Sequence, residues 1–102
     1  MRNEIETLIK HILYWLNYEK IILFGSRARG DYSKRSDYDI LVIMIDDITI
    51  KEKMELSSLL RKKLAKKGID ADIIIKSKEE LDYYKDKIGT VVRSALKEGV
   101  AL

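Results

Sequence analysis

The chain has 102 residues, 46% of them hydrophobic and 36% charged, with no proline and no cysteine, a size and balance that fit one globular domain spanning residues 1–102. Lacking cysteine it has neither a disulfide framework nor a thiolate metal site, and a single histidine removes histidine-rich zinc sites and the usual Ser-His pair, so any metal must sit on oxygen. The longest apolar run, residues 40–45, falls far short of the roughly 20 needed to span a bilayer, and with no signal-peptide core at the start a cytoplasmic location is expected.

In chain order, Ile5, Leu8, Ile9, Ile12, Leu13 and Leu16 recur at helical spacing and predict an amphipathic helix over residues 3–18. Within it His11 reads as a partly buried helical residue, and Tyr14, Trp15 and Tyr18 read as cover for the core. Residues 20–24 are short, apolar and β-branched and run into Gly25-Ser26, which predicts a buried strand ending in a turn. A polar loop is expected over residues 27–36. Residues 37–45 read as a second buried strand with two acids at its start. Residues 49–67 predict a second helix stopped by Gly68, and residues 69–75 a third strand. Ser77-Lys78-Glu79-Glu80 has capping-box spacing for a further helix. A last helix is expected over residues 90–98, burying Val91, Val92, Ala95 and Leu96 before Gly99. This order gives an α/β (α+β) class, a small mixed sheet with flanking helices.

Asp37 and Asp39 are two apart on a strand, so their carboxylates face one side while Tyr38 faces the other. Residues 40–45, directly after them, are solidly apolar, as in a central strand covered on both faces, where two ionised acids need a compensating charge. Arg27, Arg29 or Arg35 could supply it, or an oxygen-loving divalent cation such as Mg²⁺. At the end of the preceding strand, Gly25 permits close backbone approach to a ligand, and the adjacent amides and the Ser26 hydroxyl suit phosphate oxygens. A third acid, Asp72, lies in the third strand; if that strand neighbours the second, Asp72 completes a three-carboxylate cluster able to hold two divalent ions. Asp70 competes with it on the same face, but the flank of Asp72 is more apolar.

The stretch LFGSRARGDYSKRSDYDILVIM, Gly-Ser followed ten residues later by Asp-x-Asp, resembles the signature of the polymerase-β-like nucleotidyltransferase superfamily. With GIDADIIIKSKEELDYYKD and VVRSALKEG, the chain from residue 20 to its end is similar to the minimal nucleotidyltransferase (MNT) branch, often the antitoxin partners of HEPN toxins. The resemblance implies the nucleotidyltransferase fold and an enzyme that transfers AMP from ATP, with Mg²⁺, to a tyrosine hydroxyl of a HEPN RNase toxin in a hetero-oligomer. It maps Gly25 and Ser26 onto the triphosphate, and Asp37, Asp39 and Asp72 onto catalysis and two metal ions; Arg27, beside Gly-Ser, is counted with the nucleotide-binding residues. No membrane and no direct nucleic-acid partner are expected. Arg29, Lys34 and Arg35 are open between phosphate contacts, a partner surface and a solvated loop. One alternative is a non-catalytic module that neutralises its partner by contact. Another is a basic nucleic-acid binder, which rests only on the net charge of +3 and the Arg-Lys loop.

Overall fold

Three apolar, β-branched segments pair side by side because their main-chain groups, once buried, must find hydrogen-bond partners in one another. The computed structural model describes residues 2–30 and 37–102; the side chain of Ile5 and the loop residues Lys34 and Arg35 lie outside the described part. In chain order the elements are α1 (Arg2–Leu13), β1 (Tyr18–Phe24), α2 (Gly25–Arg29), β2 (Tyr38–Met44), α3 (Ile50–Ala65), β3 (Ala71–Ser77), α4 (Lys78–Tyr84), α5 (Val91–Glu98) and β4 (Val100–Ala101). The sheet order is β3-β2-β1-β4. β2 runs antiparallel to β1 and parallel to β3, while β4 is antiparallel to β1. The sheet is therefore mixed, with α3 as the crossover that parallel neighbours require.

Side-chain alternation sends the two faces of the sheet into two cores. Ile21, Leu23, Ile40, Val42, Ile73 and Ile75 pack with α1 and α3 through Ile9, Leu13, Leu60 and Leu64. Ile22, Phe24, Leu41 and Ile43 pack under α5 through Ala95, with Ile74, Leu81 and Leu96 at the margin. Because β2 lies between β1 and β3, residues 40–43 are fully buried, as the doubly covered strand requires.

Several boundaries differ from the periodicity. α1 ends at Leu13, where Leu16 N–H donates to Leu13 O (3.0 Å) and the chain turns so that Tyr18 can pair with Met44. Tyr14 and Trp15, on that turn, are exposed rather than core, and so is His11, which stacks on Tyr14 with ring centroids 5.9 Å apart. The predicted polar loop begins instead as the helix α2, closed by Gly30 in the left-handed region, whose N–H donates to Ser26 O at 2.9 Å. Val91 faces solvent, while Val92 and Ala95 are buried. The capping boxes form at Thr49/Glu52 and at Ser77/Glu80. β4 has no counterpart among the predicted elements: its two residues carry almost no periodic signal. A Cβ on Gly99 would collide with the Ala95 carbonyl oxygen and the Ile22 side chain, so glycine there lets the chain leave α5 and pair with β1.

Candidate active site

The antiparallel register sets Phe24, the last residue of β1, opposite Asp39, and the parallel register sets Asp39 beside Asp72. One end of the sheet thus collects the Gly-Ser turn and the two strand acids, which share the α5 face with Leu41 and Ile74. Gly25 has φ +72°, a conformation that favours glycine. A Cβ there would run into the Asp39 carboxylate. Only a residue without a side chain lets the start of α2 close over this acid.

Asp39 is half-buried, and its carboxyl is pushed above the ordinary 3.8 first by burial, then by the negative charges of Asp72 and Asp37, with Arg29 pulling the other way. Asp37 precedes β2 and is exposed; it lines a cavity of about 300 Å³ with Asp70, Asp72 and Arg61. Asp70 therefore stands near the site, but its main chain is used differently, its carbonyl accepting from Tyr38 N–H at 2.9 Å. Asp72, not Asp70, is the register partner of Asp39 and the acid whose charge acts on it.

The three expected acids adjoin one another in a row across the strand ends. Asp39 feels the negative charges of both Asp37 and Asp72, so the three expected acids act on one another at this end of the sheet. Like charges repel, and a cation between them would offset that repulsion. Ser26 is half-buried in the first turn of α2. Arg27 places its guanidinium 4.4 Å from the centroid of the Tyr38 ring, and Tyr38 packs on the α1/α3 side of the sheet, opposite Asp39. Arg29 is the arginine whose charge reaches Asp39, and its Nη1 lies 3.1 Å from Glu98 Oε1 on α5. Sequence reasoning leaves Arg29 undecided because it misses α2; the available signal is Gly30, a helix stop three residues after Arg27.

A family model described as Polymerase beta, Nucleotidyltransferase matches residues 6–98. The chain belongs to this nucleotidyltransferase family. Two proteins of Methanocaldococcus jannaschii named as protein adenylyltransferases are related to it. One is 39% identical over 85 residues, 82% of this chain and 77% of the relative. The other is 40% identical over 55 residues, 54% of this chain, and there the match spans half the relative's length. A chain of the toxin-antitoxin complex MntA-HpeT superposes with TM-score 0.61 at 26% identity, over 95% of this chain and 70% of the other. The complex of tri-AMPylated Shewanella oneidensis HEPN toxin with MNT antitoxin shares the fold, with TM-score 0.60 and 21% identity over 99% of this chain and 71% of the other. No helix among the described residues is long and apolar enough to cross a membrane.

The acids at this strand end fit a divalent cation by their own chemistry. Their donors are carboxylate oxygens, hard ligands suited to Mg²⁺. Burial and two neighbouring negative charges destabilise ionised Asp39, and a cation would reverse that effect.

Proposed function

We propose that this nucleotidyltransferase transfers AMP from ATP to a tyrosine hydroxyl of a HEPN-type RNase toxin and so acts as its antitoxin. The single observation carrying this reading is the juxtaposition of Asp39 with Asp72 and with the Gly25 turn. A phosphate-holding turn and paired acids at one strand end suit phosphoryl displacement, where positioning and charge neutralisation dominate. The relative named as a protein adenylyltransferase supports a protein acceptor, and the MntA-HpeT neighbour supports a toxin as partner.

In this reading Gly25 and Ser26 hold the triphosphate, Arg27 joins them only by leaving the Tyr38 ring on which it lies, and Asp37, Asp39 and Asp72 would hold Mg²⁺, two ions in all. When bound, the metal neutralises triphosphate charge and lowers the pKa of the attacking hydroxyl. The acceptor oxygen forms its bond to the α-phosphorus as the bond from that phosphorus to the bridging oxygen of the β-phosphate breaks. Pyrophosphate leaves. The acceptor's proton passes to Asp72, which is exposed at the sheet edge and able to release it to water.

The test incubates the chain with α-labelled ATP, Mg²⁺ and a folded HEPN protein encoded beside it. Label is expected on the partner, and Asp37→Asn and Asp39→Asn are each expected to cut the rate by about a hundredfold or more. Absence of label with wild-type protein overturns the reading. Toxin neutralisation that survives removal of all three acids shows a module acting by contact instead.

A further inference from the structure

The strand order places the two halves of the site unequally. The Gly25 turn adjoins β1, inside the sheet, whereas Asp72 belongs to β3, whose outer edge no strand covers among the described residues. Along that edge runs a groove of about 510 Å³ between Met54, Ser57, Ser58 and Arg61 of α3 and the β3 residues Ile73 to Ile75. The cavity beside Asp37 and Asp72 shares Arg61 with it. The two cavities thus meet at Arg61, one beside the acids and one along the open strand.

The main chain of that strand alternates between bonds to β2 and the outer edge. Asp70 O accepts from Tyr38 N–H of β2, and Ile73 O accepts from Ser57 Oγ at 2.8 Å. With strand alternation, Ala71, Ile73 and Ile75 turn their N–H and C=O groups toward the outer edge, where Ala71 is half-buried and Ile73 and Ile75 keep 7% and 5% of their surface exposed. From Ala71 to Ile75 the edge spans about 13 Å of extended backbone, along which Ser57 already holds the Ile73 carbonyl.

Charge selects what could lie there. Residues 56–69 contain Arg61, Lys62, Lys63, Lys66 and Lys67 and no acid, so the rest of the chain carries −2 against the overall +3. Arg61 alone of these lines the groove, and among the described residues it makes no ion pair. We propose that the acceptor segment of the partner protein enters along this groove in extended form, adding to the free edge of β3 with an acidic side chain against Arg61 and its hydroxyl residue at Asp72. The proposal rests on the protein-acceptor reading above. A peptide, unlike a nucleic-acid strand, offers the main-chain donors and acceptors that an open strand edge matches.

The experiment titrates the full-length ¹⁵N-labelled chain with two tyrosine peptides of equal length, one flanked by glutamates and one by lysines, and with an oligouridylate. The glutamate peptide is expected to shift the amides of Ala71, Ile73, Ile75 and Arg61 saturably and to bind at least about tenfold more tightly than the lysine peptide. Arg61→Glu is expected to abolish or invert that preference, while the charge reversal Lys10→Glu, on α1 and outside the groove lining, preserves it. Equal affinity for the two peptides, shifts confined to other residues, or occupation of the groove by oligouridylate in preference to both peptides overturns the proposal. AMP incorporation is measured in parallel. Groove binding without any AMP transfer overturns the adenylyltransferase reading and leaves the groove standing; transfer to both peptides alike does the reverse.

Discussion

Two half-buried acids at opposite ends of β3 meet opposite surroundings. Glu80 follows the C-terminal end of the strand. Burial alone would raise its pKa, but the ammonium of Lys53, the Ser77 N–H and Lys76 outweigh burial and hold its carboxyl below the ordinary 4.5. Asp39, level with the start of the same strand, is raised by burial and raised again by Asp72 and Asp37, and Arg29 offsets only part of this. The fold supplies Glu80 with every partner that an anion needs. It supplies Asp39 chiefly with other anions. An acid satisfied by its own chain serves the fold, whereas one left repelled is available to a cation from outside.

Removing the charge of Asp39 separates these roles most sharply. Asp39→Asn is expected to reduce AMP transfer by about a hundredfold to a thousandfold and at the same time to raise Tm in metal-free buffer. The sign follows from linkage: the folded-state pKa lies above the ordinary 3.8, so ionisation disfavours the fold. The penalty is absent below 3.8 and complete once pH exceeds the raised value. Calorimetry at neutral pH with a chelator checks it. A lower Tm would mean that Asp39 has a stabilising partner after all and would erase the contrast with Glu80.

Gly25→Ala tests the cradle without touching a charge. The left-handed φ of +72° costs an alanine about 1–2 kcal/mol, and its methyl displaces the Asp39 carboxylate. A displacement of about 1 Å at a reacting centre can cost about a hundredfold in rate, so activity is expected to fall far more than stability. Labelling assays beside thermal melts distinguish the two. Loss of both in proportion would show a glycine needed only for folding.

Much of this contrast is legible in the sequence because strand alternation and turn chemistry are local. Asp37 and Asp39 at period two, the Gly-Ser turn after an apolar run, and the capping box at Ser77 and Glu80 each require only a few adjacent residues. Asp72 is legible as a candidate, but its neighbour is not: only the parallel register sets it beside Asp39. Arg29 and Glu98 are 69 positions apart, and nothing periodic links them. α2 escapes because five residues are too short for a helical stripe, and Tyr14 and Trp15 are misplaced because sheet pairing at Tyr18 overrides a period that continues to Leu16. Arg61 looks like one more surface cation until the open edge of β3 gives it a position between two cavities.

The smallest effect comes from the satisfied acid. Glu80→Gln keeps the size and a hydrogen-bonding oxygen for the Ser77 N–H but removes the charge that Lys53 and Lys76 share. A stability loss of about 1 kcal/mol is expected at neutral pH, the scale of a charge-assisted hydrogen bond at a partly solvated pair, since the cap to the Ser77 N–H is kept. Because the folded-state pKa of Glu80 is depressed, its contribution is present above the ordinary 4.5 and is lost as pH falls through the lower folded value. Wild type and variant should therefore differ at pH 7 and converge in acid, which urea denaturation at a series of pH values would show. Asp39→Asn is expected to follow the same convergence from the opposite side, since protonation of Asp39 relieves the repulsion that the asparagine removes. If both substitutions shifted stability in the same direction at neutral pH, the two ends of β3 would be alike, and the separation of the structural from the functional acid would fail.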